Sequence, residues 1–350
     1  GSNSTVQLNG VGASRNNLNS AINLGNFNLS LSGYGGNING DISGVGGSIA
    51  NDTAGGSSWF GGANTYTGGI SINAGTIFIG NAGNLSTGTV TFNGGALSLY
   101  FPTNMTLTNS IVLATNGNIT VNFSGNRTIN LTGGVTGTGN LAIRNNNSGN
   151  LALNLNTGDI NHTGALSFID AAGATGTFTV NSDIGSNVTS VTQSGGAQGL
   201  VLAGTNTYSG STIITSGSLS LGSANSIPTT SAVSLSNTAN ASFNLNGFDA
   251  TIASLSGGGA TGGNVSLGAN TLTTGNASNT TYSGVISGTG SVIKVGTGTF
   301  TLAGANLYTG ATNINAGTLM NGIANAIPGT SALSIGATGT YDLGGFSQTL

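Results

Sequence analysis

The stretch that decides the fold is residues 298–319, GTFTLAGANLYTGATNINAGTL. Apolar and polar residues alternate in it on both sides of an Asn-x-Tyr-Thr-Gly pentapeptide at residues 306–310. Such alternation indicates half-buried β-strands, because successive side chains of a strand point to opposite faces. Glycine and asparagine between the alternating runs favour turns. The stretch therefore predicts short strands separated by tight corners.

The pentapeptide pattern Asn-x-Tyr-[Ser/Thr]-Gly occurs three times, at residues 64–68, 206–210 and 306–310. Counted from each tyrosine, an isoleucine follows at +6 and a glycine at +9, and aliphatic residues follow at +11 and +19. A degenerate fourth copy is predicted around His162, which replaces the tyrosine. The structural repeat positions are the tyrosines Tyr66, Tyr208 and Tyr308, the isoleucines Ile72, Ile214 and Ile314, and the glycines Gly75, Gly217 and Gly317.

Pro228 and Pro328 continue the correspondence between the last two copies and give a repeat of about 100 residues. A repeat of this length made of short strands predicts an all-β fold, a right-handed parallel β-helix (β-solenoid) with coils of about 20–25 residues. We expect one continuous solenoid over residues 1–350, with repeat units at about 40–134, 135–199 (degenerate), 200–281 and 282–350 (truncated). Inward aliphatic residues and asparagine ladders should hold successive coils together.

The composition narrows the class of protein. Only 3% of the 350 residues are charged, 64 are glycine, glutamate and cysteine are absent, and the net charge is -3. Helix formers are scarce, a nucleic-acid partner is excluded by the missing basic footprint, and no disulfide framework exists. Disorder is disfavoured because 37% of residues are hydrophobic and many of them alternate with polar ones. No apolar run approaches the roughly 20 residues of a membrane-spanning helix.

Residues 282–310, with residues 245–257, closely resemble the autotransporter-associated β-strand repeat. The resemblance is strong over residues 200–350, clear over 40–99 and faint over 100–199. It implies a passenger region of a Gram-negative type V secretion protein, displayed on the cell surface or released outside the cell as a stalk or adhesin. It also implies membrane contact only through a C-terminal barrel that this sequence does not contain. Expected partners are a host surface, a carbohydrate or a second copy of the chain.

A carbohydrate-active enzyme is the alternative function, because parallel β-helices also carry polysaccharide lyases and hydrolases. The densest cluster of polar residues with acid–base chemistry is Asp159, His162, Asp170 and Asp183, with Arg144 upstream. Their spacing matches no catalytic motif, and aspartates at corners commonly cap turns. Residues 35–41 faintly resemble a calcium-binding repeat but occur once. We therefore predict no enzyme, no cofactor and no metal.

Three further features bear on binding. The repeat tyrosines either stack on sugars or, as we favour, pack between coils with their hydroxyls in water. Trp59 and Phe60 stand where the last copy has Thr301 and Leu302. We expect them to lie either in the core or in an exposed patch. Thr-x-Thr runs at residues 89–91, 177–179 and 299–301 raise an ice-binding solenoid as a third function, although the runs do not recur in every coil.

Overall fold

The computed structural model describes residues 5–9, 16–32, 35–122, 125–146, 150–154, 159–170 and 176–350. The chain forms two compact units, Gly1–Gly176 and Thr177–Leu350. The described residues contain one helical element, a 3-10 turn at Ala82–Leu85, and no α-helix. Short strands therefore build both units, as the scarcity of helix formers predicts.

The strands of the first unit are β1 (Thr5–Asn9), β2 (Asn16–Leu18), β3 (Ile22–Asn23), β4 (Asn28–Ser32), β5 (Gly36–Ile38), β6 (Ile42–Ser43), β7 (Ser48–Phe60), β8 (Ile70–Ile79), β9 (Val90–Phe92), β10 (Ala96–Tyr100), β11 (Met105–Leu107), β12 (Ile111–Leu113), β13 (Gly117–Asn122), β14 (Arg127–Leu131), β15 (Val135–Gly137), β16 (Leu141–Asn145), β17 (Leu151–Asn154) and β18 (Gly164–Asp170). The strands of the second unit are β19 (Thr177–Val180), β20 (Val188–Leu202), β21 (Ser211–Leu221), β22 (Ala232–Leu235), β23 (Ser242–Asn244), β24 (Ala250–Ile252), β25 (Ser254–Gly257), β26 (Asn264–Ser266), β27 (Leu272–Thr274), β28 (Thr280–Tyr282), β29 (Ile286–Ser287), β30 (Val292–Lys294), β31 (Thr299–Leu302), β32 (Thr312–Asn321) and β33 (Leu333–Asp342).

Strands of successive coils pair in parallel with one another. In the first unit β4 pairs with β7, β7 with β8 and β8 with β9, and in the second β27 pairs with β30 and β30 with β32. Parallel pairing between successive coils is the defining pattern of a β-solenoid. The predicted all-β parallel solenoid is confirmed, while the right hand of its coils remains a prediction from the general handedness of parallel crossovers.

The core consists of apolar side chains stacked at equal positions in successive coils. One column in the first unit is Leu29, Ile49, Ile70, Val90, Ile111 and Val135, and one in the second is Leu200, Leu219, Phe243, Val265 and Ile286. All are buried. Full burial of each such side chain contributes about 1.5–3 kcal/mol, so the columns are the main source of stability.

The repeat isoleucines and glycines occupy fixed places in this arrangement. Ile72, Ile214 and Ile314 are fully buried. The glycine three residues later turns the strand at a corner with a positive φ, 67° at Gly75, 74° at Gly217 and 67° at Gly317. At Gly317 a Cβ would also lie 2.4 Å from the Gly296 carbonyl oxygen. Conformation and close backbone approach both require glycine there.

Ile213 and Ile214 provide a matched test of the inward assignment. Ile214 is fully buried, whereas the neighbouring Ile213 is half-buried on the other face of β21. Ile214→Asp should bury an unpaired carboxylate and lower the free energy of unfolding by several kcal/mol, whereas Ile213→Asp should cost about 1 kcal/mol or less. Chemical denaturation measures both; equal losses would contradict the assignment.

Candidate functional site

The asparagine that opens each pentapeptide is a buried clamp between coils. The carboxamide oxygen of Asn206 accepts a hydrogen bond from the backbone N–H of Ile184 at 2.8 Å, and its NH2 group donates to the carbonyl of Ser226 at 2.6 Å. Ile184 lies in the preceding coil and Ser226 in the following one. Asn64 and Asn306 make the equivalent bonds, to Ile42 and Asn84 and to Ile286 and Ala326, at 2.6–2.9 Å.

The repeat tyrosines are fully buried, so the prediction that their hydroxyls reach water was wrong. In the second unit the Tyr208 hydroxyl shares a hydrogen bond of 2.6 Å with Thr212, and the Thr212 hydroxyl shares one of 2.9 Å with Ser231. Tyr308 repeats the chain with Thr312 and Ser331. Burial raises the pKa of Tyr208 and of Tyr308 to about 12, so both phenols stay neutral. They cannot stack on a sugar, because no ring face is accessible.

Tyr66 occupies the same repeat position as Tyr208 and Tyr308 but lacks their hydrogen-bond chain to threonine and serine. Ile70 stands four residues after Tyr66, where Thr212 and Thr312 stand in the other copies. The Tyr66 hydroxyl is buried without a hydrogen-bond partner among the described residues. Burial raises the pKa of Tyr66 well above its usual range.

A buried polar side chain precedes each repeat isoleucine by one coil, and sequence reasoning missed it. Asn51 pairs in register with Ile72, Gln193 with Ile214, and Lys294 with Ile314. All three polar residues are buried. These residues are recognised from the pairing register between coils. Aligning the repeats on their tyrosines does not reveal that register.

Lys294 places its ammonium group at the inner side of a corner. Its Nζ donates hydrogen bonds to the carbonyls of Val295, Gly296 and Ala316 at 2.7, 2.9 and 3.1 Å. Asn51 donates in the same way to the carbonyl of Ala74, which corresponds to Ala316. Burial lowers the pKa of Lys294 below its usual value. The residue satisfies corner carbonyls, which is a structural role.

Three of the seven aspartates cap backbone in the next coil. The carboxylate oxygens of Asp41, Asp183 and Asp249 accept hydrogen bonds from the backbone N–H groups of Ala63, Thr205 and Thr271 at 2.7–2.8 Å. Each bond spans 22 residues, one coil of the solenoid. The aspartate of the calcium-like motif at residues 35–41 therefore serves as a cap.

The predicted acid–base cluster is divided between surface and interior. Asp159, Asp183 and Arg144 are exposed, whereas His162 is fully buried. The side chain of Asp170 lies outside the described structure. An enclosed imidazole has no access to a substrate, so His162 does not complete an acid–base pair with the exposed Asp159. Among the described residues no three acidic or imidazole side chains form a metal site.

An aromatic cluster on the first unit, with two half-buried rings and one exposed ring, is a candidate binding surface. Trp59 stacks on Phe78 with ring centroids 4.8 Å apart and planes within 12°. Tyr100 lies 5.1 Å from Trp59 and 5.9 Å from Phe78, tilted by 53°, and is 44% exposed. We call Trp59, Phe78 and Tyr100 the aromatic platform. Phe60 is buried, so the Trp59–Phe60 pair supplies both core and surface.

Strand alternation could have found the platform. Ile77 and Ile79 are buried on either side of Phe78, which places Phe78 on the outer face of β8. Sequence reasoning singled out the recurrent tyrosines because they kept register. Trp59 and Phe78 do not recur in the other copies.

Comparison with known proteins places the repeats in a described family. The passenger-associated-transport-repeat family matches residues 60–77, 195–221 and 292–320. Each match contains one pentapeptide with its isoleucine and its corner glycine. The chain therefore carries autotransporter passenger repeats, as the resemblance implied, and has the cell-surface or extracellular location of such passengers.

A curated relative is described as the adhesin BmaC autotransporter of Brucella suis biovar 1. It is 45% identical over 160 residues, which is 45% of this chain and 4% of the relative. The chain thus spans only a small part of that relative's length. No solved structure matches the chain. None of the described helices is long and apolar enough to cross a membrane.

Removal of one clamp should be costly. Asn206→Ala leaves the buried Ile184 N–H and Ser226 carbonyl without partners, and we expect a loss of about 2–4 kcal/mol in the free energy of unfolding. The adjacent Thr205→Ala changes an exposed side chain and should cost less than about 0.5 kcal/mol. Similar melting temperatures for the two variants would show that the clamp contributes little.

His162 should make stability depend on pH. Burial lowers the pKa of His162 below its usual value. The unfolded chain therefore binds the proton more readily, so the stabilisation is present above the ordinary histidine pKa of about 6.5 and is lost as the pH falls. We expect a lower melting temperature at acidic than at neutral pH.

His162→Tyr restores the repeat residue and supplies the control. Because His162 is the single histidine of the chain, this variant should melt with little dependence on pH between the carboxylate range and neutrality. An unchanged pH dependence in the variant would assign the effect to other groups.

Proposed function

We propose that this chain is a non-catalytic segment of a surface-displayed bacterial adhesin, which carries a binding surface on a rigid repeat scaffold. The observation that carries the proposal is that the polar side chains of the repeats form hydrogen bonds between successive coils. The clamp asparagines, the tyrosine–threonine–serine chains and three aspartates all bond from one coil to the next. The name of the Brucella relative, an adhesin, supports the same function.

A carbohydrate-active enzyme is disfavoured as the alternative. Glycoside hydrolysis usually uses two carboxyl groups that flank the scissile bond. Two exposed aspartates with a backbone capping role, Asp41 and Asp183, belong to different units, and the buried His162 faces the core. No specific observation among the described residues favours catalysis.

An ice-binding surface is disfavoured by register. In the next coil Met320 lies beside Thr301, and Val201 lies beside Thr179. A flat threonine face requires threonine to recur at these places. Thr299 recurs as Thr318 and Thr340, but the column that runs through Thr301 continues with Met320 and Asp342, so no face of two neighbouring threonine columns forms.

The catalytic part of the proposal is tested with purified chain and a panel of polysaccharides. We expect no lyase or glycosidase turnover above background for the wild type, for Asp159→Asn or for His162→Ala. Turnover that either substitution abolishes would favour the enzyme.

The adhesive part is tested on cells that display the parent protein. Deleting residues 209–308 joins Tyr208 to Thr309 in register, so Asn206 should gain the partner that Asn306 now has in Ala326. Deleting residues 59–119 in the same parent joins Ser58 to Thr120 in register and removes the aromatic platform. We expect both proteins to reach the surface at wild-type levels, as antibody labelling would measure. Attachment to host material should fall with the second deletion; undiminished attachment with both would contradict an adhesive role for this segment.

A further inference from the structure

The two faces of the Trp59 indole have different surroundings. Phe78, from the following coil, covers one face at 4.8 Å. On the side of the preceding coil lies a cleft lined by Gly35, Gly36, Asn37 and Ser57. The glycines leave its floor without side chains, and a Cβ on Gly35 would meet no atom nearer than 3.9 Å. Trp59 itself lines this cleft, so a ligand that enters the cleft contacts the indole.

The platform is not required by the fold. The positions of Trp59 and Phe78 are held in the other two copies by Val201 and Ser220 and by Thr301 and Met320. The coils close with those residues just as they do with the aromatic ones. Three large rings on consecutive coils expose apolar surface that coil packing does not explain, and such patches mark interaction sites.

The residues in register with the platform are uncharged. Asn37 pairs with Trp59 from the preceding coil, Ser98 pairs with Phe78 from the following one, and Asn122 pairs with Tyr100. The Asn122 carboxamide donates to Ser98 at 2.7 Å and accepts from Asn146 at 2.9 Å. A carboxamide has two donor hydrogens and two lone pairs, so Asn122 retains bonding capacity toward a ligand. Uncharged donors and acceptors around an apolar ring complement a neutral, hydroxyl-rich molecule.

We propose that the aromatic platform binds a neutral glycan, with one sugar ring held in the cleft against Trp59. A pyranose ring presents C–H groups on its faces and hydroxyls at its edge. The faces match the indole, and the hydroxyls match the backbone and amide groups of the cleft. This inference deepens the proposed adhesive function by naming the class of ligand, and it rests on that function only for its biological meaning.

Trp59 is the single tryptophan of the chain, so its fluorescence reports this site alone. The purified chain is titrated with neutral hexose and N-acetylhexosamine oligosaccharides. Sulfated oligosaccharides of the same length serve as the charged comparison. We expect a saturable change in emission with at least one neutral oligosaccharide and weaker binding of its sulfated form. No saturable response to any neutral oligosaccharide, or a response that requires sulfate, would overturn the proposal.

Variants that take the residues of the other copies test the platform without disturbing the coils. Calorimetry should show binding at least about tenfold weaker for Trp59→Thr and for Phe78→Ser. Phe27→Ser, at another exposed aromatic residue of the first unit, should bind as the wild type does. Circular dichroism and melting temperature establish that each variant is folded. Wild-type affinity in folded Trp59→Thr would overturn the proposal.

Two outcomes separate this inference from the function on which it builds. Platform-dependent dimers in sedimentation experiments, without glycan binding, would assign the surface to a second copy of the chain and overturn the glycan. Cells that display a Trp59→Thr parent and attach normally, while the deletion of residues 59–119 prevents attachment, would overturn the glycan proposal and leave the adhesive function standing.

Discussion

A carboxamide that bonds to the coil before it and to the coil after it is the interaction on which the rest of the structure depends. A chain that is 3% charged and forms no α-helix in its described residues must still satisfy backbone groups wherever its strands end at a corner. Asn64, Asn206 and Asn306 do this with one donor and one acceptor each. The tyrosine two residues later then fills the core beneath the corner. Glycine, tyrosine and asparagine recur together because one corner needs all three.

The inner and outer faces of the solenoid have different roles. Inside, stacked aliphatic residues and buried polar groups keep successive coils in register, so a substitution there is felt as a loss of stability. Outside, each strand position is free to vary provided that it tolerates water. The aromatic platform occupies such positions, where Thr301 and Met320 stand in the last copy. A repeat protein can therefore acquire a binding surface in one unit without any change in the others.

The repeats made the fold predictable, because the alternation around residues 298–319 indicates strands and the common register indicates stacked coils. Ile214 and Ile314 lie in the core as that register implies. The fate of the tyrosine hydroxyls was not predictable from the pentapeptide. It depends on Thr212 and Ser231, which are separated by one coil in the sequence and meet only in space. Phe78 was missed for a related reason: binding residues need not recur, so a search for repetition passes over them. Lys294 was missed because its role appears only when coils are aligned by pairing.

The reach of the clamps in both directions has a consequence for how the chain acquires its structure. Asn306 bonds to Ile286, 20 residues earlier, and to Ala326, 20 residues later. Contacts of this short sequence separation allow order to spread along the chain by growth from an existing edge, without a search over distant segments. Each newly added coil offers a row of open backbone groups, and a coil that carries a clamp also offers an asparagine with one of its two bonds unmade. Folding thus proceeds coil by coil, and the most recently formed coil is the one that unfolds most easily.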